Sequence, residues 1–135
     1  MNQEATFRLG IDSGSGVPFY RQIIDQVLTA IASGSLTAGD QLPTVRQLAV
    51  DLSINPNTVV RAYRELEIRG ILNTQQGSGT FIAPDQKVSA SDVERQRRRS
   101  HLIAEFVARA GGEGFSVREV IEALKEMFPE AEKGN

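Results

Sequence analysis

A mainly α chain with a small β wing and a helical tail is expected from three features of this 135-residue sequence. Apolar residues recur at helical spacing in three consecutive stretches between Pro18 and Gly70, each with its own start and stop signals. A glycine-tipped pair of short β-prone runs follows at once, and two further amphipathic stretches fill the residues after Ser91.

Each element has a local cause. Phe7-Arg8-Leu9-Gly10-Ile11 alternates apolar and polar residues and is expected to form a short edge strand. Pro18 suits the first position of a helix whose stripe is Tyr20, Ile23, Ile24, Val27 and Ile31, and Gly34 supplies its stop. After the connection 35–43, Thr44 and Gln47 form a capping box, each side chain satisfying the other's free backbone N–H. They open a second helix with Val45, Leu48, Ala49 and Leu52 on its inner face. Ser53-Ile54 is a tight joint, after which Asn55 as N-cap and Pro56 as first residue open a third helix that ends at Gly70. On that helix Val59, Ala62, Tyr63 and Leu66 point inward, while Asn57, Arg61 and Arg64 share the opposite, net basic face. Residues 71–75 and 80–83 then flank Gln76-Gly77-Ser78-Gly79 as a hairpin whose glycines permit positive φ at the tip.

The tail is expected as two helices. From Ser91 to Ala110 the stripe is Leu102, Ile103, Phe106, Val107 and Ala110, preceded by the basic run Arg95, Arg97, Arg98 and Arg99. Residues 111–114, Gly-Gly-Glu-Gly, break it. Ser116 and Glu119 form a second capping box, Phe115 is placed to staple onto Val120, and Val117, Val120, Ile121, Leu124 and Phe128 form the next stripe. The expected domains are 1–84 and 85–135.

Bulk composition excludes several classes. Hydrophobic residues at 40% and charged residues at 24% match folded globular chains, so neither disorder nor a coiled rod is indicated. The absence of cysteine removes disulfides, zinc ribbons and thiol nucleophiles. One histidine and no cysteine leave no candidates for a nucleophilic triad, so no enzyme, cofactor or metal site is expected. The polar N-terminus lacks a signal peptide's pattern and no apolar stretch approaches bilayer length, which places the chain in the cytoplasm. Net charge is −2, but unevenly spread: residues 17–84 are neutral, 85–110 carry +2 and 111–135 carry −3.

Two helices joined by a short turn, the second opened by polar residues and followed by a glycine-tipped hairpin, make a winged helix-turn-helix. A B-DNA major groove, about 12 Å wide, admits one helix whose first turns reach base edges. Asn57, Thr58 and Arg61 occupy those turns. Free N–H groups at the start of that helix and at Thr44 offer positive ends to phosphates, and Gly77 and Gly79 let the wing approach the sugar-phosphate chain.

The segments Leu42-Pro43-Thr44-Val45-Arg46-Gln47-Leu48-Ala49, Asn55-Pro56-Asn57-Thr58-Val59-Val60-Arg61-Ala62-Tyr63, Leu66-Glu67, Gly70-Ile71-Leu72 and Gly77-Ser78-Gly79-Thr80-Phe81 resemble the GntR family of bacterial regulators. The likeness covers about residues 17–83, and the short helical tail is similar to the YtrA-like branch. The resemblance implies a winged helix-turn-helix regulator of transcription whose C-terminal helices build a homodimer. It also implies control of a neighbouring transporter operon. By the same resemblance Arg46 contacts a phosphate or guanine edge, Asn55, Asn57 and Thr58 lie at the groove, and Gln76 and Gly77 place the wing. The chain departs from relatives at Val60 and Ser78, where basic contact residues occur, and at Thr44, where Ser is common.

The resulting expectation is a sequence-specific DNA-binding regulator, a homodimeric repressor of a palindromic operator. The DNA side rests on Thr44, Arg46, Asn55, Asn57, Thr58, Arg61, Gln76 and Gly77. Pairing rests on Leu102, Ile103, Phe106, Val107, Val120, Ile121, Leu124 and Phe128. A winged-helix module that docks on protein is the alternative, and it predicts an apolar outer face on the third helix where Asn57, Arg61 and Arg64 stand. Asn55 fits both a cap and a base reader. The run from Arg95 to Arg99 fits a solvated face, a contact to flanking DNA, or a pair with Glu119, Glu122 and Glu126 of a partner. A small-molecule effector would have to use the dimer groove or the domain junction, since the tail is too small to enclose an ordinary pocket.

Overall fold

The computed structural model describes residues 7–84 and 91–133 and divides the chain into two compact units, Met1–Gln86 and Lys87–Asn135. The first unit begins with α1 (Phe19–Ser33) and β1 (Gln41–Leu42), continues with α2 (Val45–Leu52) and α3 (Pro56–Ile68), and ends with β2 (Leu72–Gln75) and β3 (Gly79–Ile82). The second holds α4 (Asp92–Gly112), α5 (Val117–Met127) and α6 (Pro129–Lys133).

In the first unit α3 packs against α1, α2 and β2. The core is supplied by the faces anticipated from spacing: Ile23, Ile24 and Val27 of α1, Leu48 and Ala49 of α2, and Val59, Ala62, Tyr63 and Leu66 of α3. Leu36, Leu42, Leu72 and Ile82 close it from the loop and sheet side. Tyr20 and Ile31, assigned to the same stripe, are only half-buried at its two ends. The three strands form an antiparallel sheet in the order β1-β3-β2, with Leu42 opposite Thr80 and Thr74 opposite Thr80 from the other side.

Several boundaries differ from the sequence expectation. Residues 7–11 form no strand; instead the Gln26 side-chain amide brackets Gly10, accepting from its N–H at 3.0 Å and donating to its C=O at 2.6 Å. Gln22 does the same for Asp12, so two glutamine amides of α1 take the place of a neighbouring strand. Pro18 is the N-cap of α1 rather than its first residue. β1 lies inside what the sequence presents as a connection, and β3 starts at Gly79, one residue before the expected strand.

In the second unit α4 runs through Gly111 and Gly112, because glycine lowers helix propensity without forbidding the conformation; the chain turns at Gly114, with φ of 94°. The Ser116–Glu119 capping box forms as expected, with Glu119 N–H donating to Ser116 Oγ at 3.1 Å. Phe128 caps α5 at its C-terminus and is half-buried, outside the helical stripe it was assigned to, since Pro129 follows and opens the additional helix α6. The stripes of α4 and α5 are not buried within one chain: Leu102, Ile103, Phe106, Ile121 and Leu124 are exposed, and Val107 and Val120 half-buried. No helix among the described residues is long and apolar enough to cross a membrane.

Candidate nucleic-acid interface

Two helix starts and one hairpin tip define a polar surface on the first unit. Thr44 opens α2: its Oγ1 accepts from Gln47 N–H at 3.0 Å while its own N–H donates to Gln47 Oε1 at 3.1 Å. Asn55 opens α3, its Oδ1 accepting from Asn57 N–H at 2.8 Å. The capping role of Asn55 is thus observed, and its side-chain NH2 group remains on an exposed residue. Between the two helices Ser53 adopts the left-handed conformation, φ 57° and ψ 47°, while its N–H donates to Ala49 O and Val50 O. That conformation turns the chain within three residues and sets the angle at which α3 leaves α2.

Beyond its cap, α3 presents Asn57, Val60, Arg61 and Arg64 as exposed side chains, opposite the buried Val59, Ala62 and Leu66. Thr58 is half-buried beside them and donates its N–H to Asn55 O at 2.9 Å. Arg46 lies exposed in the first turn of α2. Both helix starts leave backbone N–H groups with partial positive charge toward solvent, a setting that favours anionic oxygens.

Four side-chain contacts that sequence spacing did not reveal hold this surface together. Tyr63 is buried, and its hydroxyl donates to Pro43 O at 2.7 Å, tying the residue before the α2 cap to α3. Burial pushes the Tyr63 phenol far above the usual tyrosine range, so it stays a donor. Gln41 Nε2 donates to Ser78 O at 3.1 Å, and a Cβ on Gly79, whose φ is 127°, would run into that same amide. The wing is further held to α3 by Thr74 Oγ1, which donates to Glu67 Oε2. At the other edge of α3 the Arg61 guanidinium stacks 3.7 Å from the centroid of the half-buried Tyr20 ring. Of the residues involved, Tyr20 and Tyr63 are on the expected inner faces of α1 and α3, but spacing gives neither partner.

Gln76 and Gly77 are exposed at the wing tip, with Gly77 at φ 83° and Ser78 N–H donating to Gln75 O at 2.8 Å. The expected site residues therefore fall into two groups on one unit. Arg46, Asn55, Asn57 and Arg61, with Thr44 and Thr58, belong to the starts of α2 and α3, while Gln76 and Gly77 belong to the hairpin tip.

A buried three-helix core, an exposed polar helix preceded by a tight turn, and a pinned β wing define a winged helix-turn-helix, the architecture of proteins that read duplex DNA. Residues 19–82 match the family described as "Bacterial regulatory proteins, gntR family". The chain is 36% identical to the HTH-type transcriptional regulator YhcF of Bacillus subtilis, over 82% of this chain and 90% of that one. It is 35% identical to the HTH-type transcriptional repressor YtrA of the same organism, over 92% of this chain and 95% of that one. Among solved structures it is similar to a transcriptional antiterminator from Listeria monocytogenes EGD-e, with TM-score 0.65, 30% identity, and 93% and 91% of the two chains covered. The chain belongs to the GntR family, in its YtrA-like branch, and is a DNA-binding transcriptional regulator.

Proposed function

We propose that the chain works in the cytoplasm as a homodimeric repressor: the two copies pair through their tails, and each places α3 in the major groove of one half of a palindromic operator. The observation that carries the DNA side is the exposed face of α3, where Asn57, Arg61 and Arg64 stand opposite the buried Val59, Ala62, Tyr63 and Leu66. Asn57 suits an adenine edge and an arginine suits guanine, while the methyls of exposed Val60 suit a thymine methyl. Arg46, Thr44 and the α2 start suit a phosphate, and the wing tip at Gln76 and Gly77 brings backbone close to the sugar-phosphate chain. Asn55 and Thr58 flank the groove side.

Pairing is supported by the second unit. Leu102 is 65% exposed, Ile103 and Phe106 54%, Leu124 47% and Ile121 46%. Contiguous apolar surface of this kind marks an association site. With Val107, Val120 and Phe128 at its margins, it suits burial against the same surface of a second copy about a two-fold axis. Repression is supported by the likeness to YtrA, described as a repressor, and the proposal contains no catalytic step.

Selection of random duplexes by the purified chain tests this function. The expected result is a symmetric motif whose half-sites lie about one helical turn, or a multiple of it, apart. Recovery of no motif at low salt, or of a single asymmetric half-site, contradicts it. The protein-docking alternative predicts an apolar outer face on α3; Val60 and Ile68 are exposed there, but Asn57, Arg61 and Arg64 give that face its polar, basic character.

A further inference from the structure

Four guanidinium groups are concentrated within five residues of α4, at Arg95, Arg97, Arg98 and Arg99. All four are exposed, and among the described residues none of them forms an ion pair. At about 100° per residue, Arg95, Arg98 and Arg99 fall within an arc of about 100°. Asp92 and Glu94 in the first turn of α4 offset two of the four charges; the excess like charges at these spacings repel, a local cost that an anionic surface would reverse.

Two anionic partners are conceivable, and charge and geometry separate them. Glu119, Glu122 and Glu126 of α5 lie within an arc of about 60°, on the side of α5 opposite Val117, Ile121 and Leu124. Carboxylates placed there point away from an apolar seam between copies, and the Glu119 carboxylate already accepts from Ser116 N–H at 2.8 Å. Duplex DNA is the other partner. Residues 17–84, which carry α3 and the wing, have no net charge, so they supply little of the attraction that holds a polyanion. Only residues 83–90 separate the end of β3 at Ile82 from the α4 cap at Ser91, so a docked wing tethers the arginines to the same duplex.

We propose that the segment from Arg95 to Arg99 is a second DNA-binding surface, one that takes the phosphodiester backbone flanking the operator without reading bases. It rests on the DNA-binding function and not on the dimer. The guanidiniums of Arg95, Arg98 and Arg99, on one side of α4, donate to phosphate oxygens and displace condensed counterions, so the contribution is sequence-blind and strongly salt-dependent.

The test uses the full chain and its selected duplex, in a short form and in a form lengthened by about ten base pairs, one helical turn, at each end. Affinity is followed by fluorescence anisotropy between about 50 and 200 mM salt. The wild type is expected to bind the longer duplex more tightly. Combined Arg95→Gln, Arg97→Gln, Arg98→Gln and Arg99→Gln substitutions should remove that gain, and the slope of log K against log salt should become shallower by about 2–3 for each bound copy, at about 0.9 per lost phosphate contact. The base preferences should be unchanged, and the matching set of Lys substitutions should restore both effects. Arg98→Gln alone, with an expected change of about 0.9 for each bound copy, serves if the combined variant does not fold. Wild-type slope and length dependence in the Gln variants overturn the proposal. So does a Gln variant that loses self-association in sedimentation while its salt slope stays intact, which assigns the arginines to a protein contact. A wild-type chain with no duplex preference is a separate result that removes the DNA-binding function itself.

Discussion

Arg61 and Arg64 look equivalent in the sequence, one turn apart on the same helix, yet the structure gives them different freedoms. The Arg61 guanidinium lies 3.7 Å from the Tyr20 ring centroid, so its plane is fixed and its N–H edges are left to donate. Arg64 has no such platform among the described residues. Tyr20→Leu is therefore expected to weaken operator binding by about 0.5–1 kcal/mol, the magnitude of an exposed cation–π contact, with the loss confined to the base pair that Arg61→Ala also affects. Tyr20→Phe keeps the ring and should match the wild type. Anisotropy titrations of the three variants against single-base-pair operator substitutions decide it; a uniform loss over all positions contradicts the assignment. Spacing located Tyr63 in the core, and it is there, but the acceptor of its hydroxyl, Pro43 O, lies 20 residues away and nothing local announces it. The same periodicity puts Tyr20 on the core-facing stripe; it packs half-buried against the core, and only the packing of α1 beside α3 shows that its ring also carries a surface arginine.

The helices were legible because their causes are local. Thr44 with Gln47, Asn55 with Pro56 and Ser116 with Glu119 each sit within four residues of the N–H groups they satisfy, and all three caps form. What was not legible depends on distant partners. β1 is two residues long and exists only through pairing with β3, about 40 positions on. The segment 7–11 has a strand's alternation but no strand beside it; Gln26 meets the backbone of Gly10, and Gln22 that of Asp12 just after it. The joint between α2 and α3 also hides its demand, since nothing in Ser53-Ile54 requires a left-handed residue until both helices are packed. Ser53→Val should lower stability by about 1–2 kcal/mol, because a β-branched side chain at φ 57° clashes with its own backbone. Ser53→Gly should be tolerated. Urea unfolding of the two variants measures this, and a Val variant as stable as the wild type would mean that the joint adopts another conformation.

Taken as a chain of two units, the molecule separates chemistries: a buried core with an exposed polar face on α3 in the first, and exposed apolar stripes with segregated charge in the second. The apolar stripes were legible as periodicity, but periodicity cannot say whether a stripe is covered by the same chain or by another copy. Leu124→Asp should convert a dimer to monomers in sedimentation and weaken operator binding, since paired half-sites bind far more tightly than one. An intact dimer would place the interface elsewhere. A scan of every base pair of the selected operator, with the wild type and with Arg46→Ala, Asn57→Ala and Arg61→Ala, asks whether the starts of α2 and α3 read sequence. Each side chain that reads a base should lose about 1–3 kcal/mol of discrimination at one position in each half-site, leaving the other positions as they were. Unchanged discrimination in all three variants would contradict a groove-reading role for α3.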